Sequence, residues 1–589
     1  MHITQKIAPF FTSKRFFLFF ITSLTLLVFL FRINRPDTIG DSGHELLRGY
    51  TYMDFIESTI QTTPLQWMPL PTWWTYLGFH DAPYFGFLFY FLILQFSYNN
   101  ITLVAISSNA ILGAISVIGI TYCIYTQACD WKKTRALFFL STYFACTSLI
   151  TLLRSAYIEA PTIWLVQFGF YFYILDDTKT SRYKTLAFIL FGCAFATKYT
   201  SVFVITGPIL YLLYEGITKK IPYVHFLKYL RAFLIPILPV IIYNVMMWIE
   251  FGHFDMQFSS LFGIHSKDHW GTFQHHPFDT TEIKSFFTNF FHTFWGPLTC
   301  AITLLIGFYF IKNKNHTTPL EKVLLISFLF SCFGMILFSG GYPYNISLLL
   351  SMLLLIATIA IKIDVSTIKK TRYIIFCYLY VLALCGGIIT TALMNYSYFN
   401  HEENIFSGPR IQNLGWNQLN TLFDFYLKDK NQKPSPEGFL MYDPKLAVNK
   451  RHLDTTIPPE KTAQDFPGII IIDNDLSWLH GFLTFFKQRW MKNFFVLRTN
   501  ELAEFNRYPD IYKQILATLT QRTYIEEYRP TSSRAQNTLV TELLGQNPHH
   551  VTVCGPDDEP RFIINGDMAD FILNNKNNPA IQKNICSKK

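Results

Sequence analysis

The chain has 589 residues, 50% of them hydrophobic and only 15% charged, where soluble proteins carry roughly a quarter charged. That balance argues against a soluble protein of this length. The net charge of +9 is not a nucleic-acid footprint, because most Lys and Arg sit in short stretches between apolar runs.

Lys6, Lys14 and Arg15 precede the first apolar run, Phe16 to Phe31, which is followed by FRINRPD rather than a small-residue cleavage site. It reads as a retained anchor with the N-terminus cytoplasmic. Residues 32–100 then form a first outer loop. Within it Tyr84 to Tyr98 is apolar and aromatic but only about 15 residues long, and it reads as an interfacial helix rather than a span. If it crossed, Lys132, Lys133 and Arg135, and then Lys179, Arg182 and Lys184, would fall outside. With 84–98 in the interface, about eleven spans follow: 16–31, 101–125, 136–153, 161–175, 185–198, 200–215, 232–250, 291–311, 322–339, 345–361 and 373–394. Every basic loop, including Lys219–Arg231, Lys312–Lys322 and Lys362–Arg372, then lies on one side.

The expected fold class is a polytopic α-helical membrane domain over 1–394, followed by a C-terminal extracytoplasmic α/β domain over 395–589. In that domain Gly438 to Tyr442, Gly468 to Ile472 and Phe494 to Leu497 read as strands, and Leu502 to Phe505 and Tyr512 to Leu519 as helical pieces. Eight of ten Cys lie in or beside the spans. Cys554 and Cys586 lie in the tail and form a candidate disulfide if the tail is extracytoplasmic.

Five features could carry chemistry. Asp41 and Glu45 in GDSGHE stand one helical turn apart at the membrane surface, where a carboxylate can act as general base; the bland alternative is a solvated helix cap. Arg154 and Glu159, with Pro161, join two spans on the outer side, and an arginine there suits phosphate. The alternative is an Arg–Glu pair that seals the span ends. Lys198 in FATKYTS breaks an apolar stretch at the outer face, either as an exposed snorkelling lysine or as a second phosphate ligand. Loop 251–290 scatters histidines, with His265 and His269 as weak metal candidates, but in no compact ligand spacing. Tyr342 lies in GYPYN, a turn that could line a lipid groove.

In this order the pieces resemble the GT-C membrane glycosyltransferases, in the branch of protein mannosyltransferases and aminoarabinose transferases that use polyprenyl-phosphate sugars. The resemblance covers about residues 10–395. It puts the family's acidic catalytic residue on Asp41, its phosphate-contacting arginine on Arg154 and its phosphate-contacting lysine on Lys198. The Arg-x4-Asp-x-Pro motif has Glu159 for the aspartate and keeps Pro161. The HPPL stretch falls on Asp81-Ala82-Pro83-Tyr84, beside His80, and the usual second acidic residue is Ser42. Glu45, His80, Asp81, Glu159 and Tyr342 are then weaker candidates for substrate or acceptor contact.

What the resemblance implies is an inverting glycosyltransferase. It would move a sugar from a polyprenyl-phosphate donor to a lipid, glycan or protein acceptor at the outer face of a bacterial-type inner membrane. The acceptor leaves either protein glycosylation or cell-envelope (lipid A) modification as the setting. No cofactor is required, although a divalent metal at loop 251–290 is compatible with the reaction, and the partners are lipids rather than nucleic acid. The rival is a transporter or flippase for lipid-linked or small solutes. A protease added to the outer face is expected to cut the tail after Leu393 and loop 251–290 and to spare loop 129–136. Cutting within 129–136 from that side would mean that 84–98 crosses the membrane.

Overall fold

The computed structural model describes residues 14–30, 101–127, 132–145, 147–156, 158–175, 181–251, 318–337, 415–427, 468–473, 495–499, 521–528, 538–545, 548–555 and 558–586, and the single residues 89, 92, 254, 258, 284, 354 and 476. The chain divides into two compact units. The helices described up to Leu337 belong to the first, and everything described from Gly415 onward to the second.

In the first unit the helices are α1 (Lys14–Leu30), α2 (Ile101–Gln127), α3 (Lys132–Ala145) and α4 (Thr147–Leu153). They continue with α5 (Glu159–Leu175), α6 (Ser181–Thr197), α7 (Val202–Ile217), α8 (Tyr223–Phe251) and α9 (Pro319–Leu337). Among the described residues three stretches are long and apolar enough to cross a membrane: Leu103–Thr126, Tyr199–Ile217 and Tyr223–Val245. The span read at 232–250 begins earlier. Tyr223–Phe251 is one helix, so Lys228 and Arg231 lie in its first turns rather than in a loop.

Helix direction follows from which ends touch. Phe17 at the start of α1 meets Tyr125 at the end of α2, with ring centroids 5.2 Å apart. Lys14 lies 5.9 Å from the Tyr122 ring. These two helices are antiparallel, so the last residue of α1 and the first of α2 lie at the same end, as the loop charges require. Phe172 stacks on Tyr183 at 6.1 Å and Phe170 meets Phe191 at 5.3 Å, which makes α5 and α6 antiparallel as well. One end of the helices therefore gathers Lys14, Arg15, Lys133, Arg135, Arg182, Lys184, Lys219, Lys220, Lys228, Arg231 and Lys322.

The core is aromatic, with Phe139, Tyr143, Phe170, Phe188 and Phe191 fully buried. Ile235, Leu238, Ile241 and Trp248 on α8 are exposed, as suits side chains that face lipid rather than water. Helix α9 starts at a reciprocal cap. Thr318 N–H donates to Glu321 Oε2 at 2.7 Å, and Glu321 N–H donates to Thr318 Oγ1 at 3.3 Å. Helices α7 and α9 come so close that a Cβ on Gly207 would collide with the Val323 carbonyl oxygen and Ser327 Oγ. Small residues at such contacts let backbones approach where water supplies no driving force.

The second unit is an α/β domain. It contains α10 (Trp416–Tyr426), β1 (Gly468–Ile472), β2 (Phe495–Arg498), β3 (Gln521–Glu527) and α11 (Thr538–Leu544). Then come β4 (His550–Cys554), β5 (Pro560–Gly566), α12 (Asp567–Asn574) and α13 (Pro579–Gln582). The sheet order is β2-β1-β3-β5-β4. Strand β1 is parallel to both neighbours, and β5 is antiparallel to β3 and β4. All five residues of β1 are buried, as its unbroken isoleucine run predicts for a central strand. Helix α10 closes the core, with the Trp416 and Phe562 rings 4.7 Å apart. A disulfide joins Cys554 on β4 to Cys586 near the C-terminus.

Strand β1 falls where the sequence places it and β2 within a residue, but β3, β4 and β5 were not foreseen. The expected elements at Gly438–Tyr442, Leu502–Phe505 and Tyr512–Leu519 lie outside the described residues.

Because the Gly207 contact is against backbone, which cannot turn aside, Gly207→Ala should cost about 1–3 kcal/mol. The measurement is thermal unfolding of the full protein in detergent. An unchanged melting temperature would mean that α7 and α9 do not meet there.

Candidate functional site

The antiparallel run of α5 and α6 brings two chain joints to one end of the first unit. One is the turn between α4 and α5, residues 154–158, and the other is Lys198 between α6 and the short 3-10 turn Tyr199–Ser201. Within the described residues of 14–30, 101–251 and 318–337, this end carries only two cations, Arg154 and Lys198. All the others are at the opposite end.

Lys198 sits where the backbone turns extended, at φ −153° and ψ 123°, and interrupts the helical run. Its N–H still donates to Ala194 O at 2.9 Å, and its carbonyl accepts from Ser201 N–H at 3.1 Å. The apolar stretch Leu186–Tyr214 is thus two helices joined tip to tip, as its sequence suggests. The lysine is not an exposed, snorkelling side chain: it is 3% exposed. Its ammonium makes an ion pair with Glu159 Oε1, and Glu159 is 4% exposed.

The glutamate is the first residue of α5, where the unsatisfied N–H groups favour a carboxylate. Pro161 lies in the same first turn, where its missing N–H removes no helix bond. The alternative reading of the sequence paired Glu159 with the arginine five positions earlier. Its ion pair with Lys198, thirty-nine residues later, ties two helices together instead. A buried ion is stable only when paired, because desolvation costs several kcal/mol per charge.

Arg154 is also buried, at 2% exposure. Its Nη1 donates to the Val28 carbonyl at 3.5 Å, in the last turn of α1, where carbonyls lack helical partners and a cation is favoured. Arg154, Glu159 and Lys198 thus share one buried end of the helices. A phosphate brought there would meet two cations in low dielectric, where charge interactions are stronger than in water. Asp41, Glu45, His80, Asp81, Tyr342, His265 and His269 lie outside the described residues. Among the described residues no group of three metal-ligating side chains comes together.

Sequence reading missed the polar residues that surround these joints. Asn109 on α2 donates from Nδ2 to the Ser155 carbonyl at 2.8 Å and accepts from Trp164 Nε1 at 3.2 Å. Asn244 on α8 donates from Nδ2 to the Tyr199 hydroxyl at 3.0 Å. Deeper between the helices, Ser116, Gln167 and Tyr143 form a buried hydrogen-bonded chain. The available signal was a lone amide inside an apolar span, which is costly in a membrane and therefore informative.

No protein-family model matches the sequence, and no curated protein matches it. Solved structures do match in shape. ArnT from Cupriavidus metallidurans in the apo state superposes with a TM-score of 0.50 at 10% identity, covering 94% of this chain and 98% of that one. The same protein bound to undecaprenyl phosphate gives 0.51 at 10% identity, covering 95% and 99%. The chain shares the fold of that protein.

Glu159→Gln leaves Lys198 buried without its carboxylate and should destabilise the protein by about 3–5 kcal/mol. Adding Lys198→Met removes the stranded charge and should restore most of that loss. Denaturant unfolding of the single and double variants measures the coupling. Equal losses with and without the lysine would show that the pair does not hold α5 to α6.

Proposed function

We propose that this GT-C-folded chain is an inverting glycosyltransferase, taking its sugar from a polyprenyl-phosphate donor at the outer face of the membrane. The observation that carries the reading is the burial of Arg154 and Lys198 together at the end of the helices away from the basic loops. Whole-chain likeness to a protein whose structure holds undecaprenyl phosphate supports the choice of lipid phosphate as their ligand. By the loop charges this end faces outward, with the N-terminus cytoplasmic and the C-terminal domain outside, as in a bacterial inner membrane.

In this reading an acceptor hydroxyl gives its proton to Asp41 while its oxygen bonds to the anomeric carbon. The bond from that carbon to the phosphate oxygen breaks, and the polyprenyl phosphate leaves with the electron pair. One displacement inverts the anomeric centre. Negative charge grows on the leaving phosphate, and Arg154 and Lys198 stabilise it. Glu159 keeps Lys198 charged and buried until the donor arrives. The arginine offers a planar fork that matches two phosphate oxygens, which a lysine cannot reproduce. The step draws on side chains alone and requires no cofactor. The acceptor is a hydroxyl of a lipid, glycan or protein.

Purified protein with a synthetic polyprenyl-phosphate sugar and membrane acceptors tests this directly. The expected products are free polyprenyl phosphate and a glycoside of inverted configuration. Asp41→Asn should lower turnover roughly a hundred- to ten-thousand-fold with expression unchanged. Arg154→Lys should also be harmful, and losses from Arg154 and Lys198 should be non-additive, as for residues that act on one anion. Movement of the lipid-linked sugar across vesicles with no glycoside formed would reject transfer in favour of transport.

A further inference from the structure

Two cations at helix joints are useful only if the joints are held still, and the chain places one buried asparagine against each. Residue 155, next to Arg154, offers its carbonyl to Asn109 Nδ2 at 2.8 Å. Residue 199, next to Lys198, offers its hydroxyl to Asn244 Nδ2 at 3.0 Å. The two amides come from different helices, α2 and α8, and neither helix supplies a described cation to this end.

Both are buried, Asn109 at 0% exposure and Asn244 at 2%. Each is fixed by a second bond. The Asn109 oxygen accepts from Trp164 Nε1 at 3.2 Å. Asn244 Nδ2 also donates to the Val240 carbonyl at 3.1 Å. Tyr199 is further confined by Phe195 and Phe258, at 5.4 and 5.5 Å between ring centroids. An amide in an apolar span is expensive wherever a leucine would serve, so one held by two hydrogen bonds at each joint has to be explained by what it orients.

We infer that Asn109 and Asn244 are positioning residues for the two cations: Asn109 sets the turn that carries Arg154, and Asn244, through Tyr199, sets the break that carries Lys198. The inference rests on the phosphate-binding reading above. It assigns neither asparagine any contact with the substrate.

The probes are undecaprenyl phosphate and undecaprenol, which share the tail and differ in the phosphate, bound to the full protein in detergent micelles. Asn109→Leu and Asn244→Leu should each weaken binding of the phosphate lipid roughly threefold to tenfold, the worth of one buried hydrogen bond. Binding of undecaprenol should be unchanged. In an Arg154→Ala background Asn109→Leu should cost nothing further, and likewise Asn244→Leu in a Lys198→Ala background. If a leucine variant does not fold, Asn109→Ala or Asn244→Ala serves instead, since each removes the amide donor without adding bulk or charge. Equal weakening for both lipids, or losses that persist without the cation, would overturn the inference and leave the asparagines structural. If Arg154→Ala and Lys198→Ala themselves leave phosphate-lipid binding intact, the phosphate-site reading falls first and the positioning role with it.

Discussion

The burial of Glu159 with Lys198 is the constraint on which the rest of the first unit depends. Neither charge could be taken from water alone, so the first residue of α5 and the residue after α6 must meet. That requirement fixes the register of two antiparallel helices along their whole length. It agrees with the aromatic contacts further down, where a Cβ on Gly169 would collide with the Phe191 ring. A slip of one turn would strand both charges and misplace the rings together.

The same constraint explains how charge is distributed along the helices. At the basic end cations are numerous, and Lys184 meets Glu215 at 2.9 Å with both side chains partly open to solvent. At the other end the two cations among the described residues are buried and set at breaks in the helices. A break frees the backbone to turn the lysine away from the helical path, and the surrounding helices then exclude water from it. Polar groups are thereby concentrated at that end, while the exposed sides of the helices remain apolar.

Much of this was legible in the sequence because a membrane limits what a chain can do. Apolar runs bounded by Lys and Arg gave helix positions, and the loop charges required 31–100 to start and finish on one side, which α1 and α2 satisfy. Lys198 stood out as a charge inside an apolar stretch. The partner of Glu159 did not, since proximity in sequence pointed to Arg154 while the pairing is made across two helices. Asn109 and Asn244 escaped notice because a single amide barely changes the hydropathy of a span of 27 or 29 residues. In the second unit the isoleucine run of β1 declared itself. Strand β3, QRTYIEE, did not, because its buried Thr523 and Ile525 alternate with residues that look like a charged loop. Strand β4 has five residues and is followed by Gly555, and β5 begins at Pro560 and ends at Gly566, residues that read as turns when the sheet partner is unknown.

The antiparallel pairing of α1 with α2 also has a meaning for how such a chain can diversify. A segment that starts and ends on one side of a membrane is neutral with respect to threading. It can be lengthened, shortened or exchanged for a foreign sequence without reversing the direction in which any later helix is inserted. The segment that joins α1 to α2 is therefore a cassette, exchangeable by recombination while the helices and their buried charges are inherited unchanged.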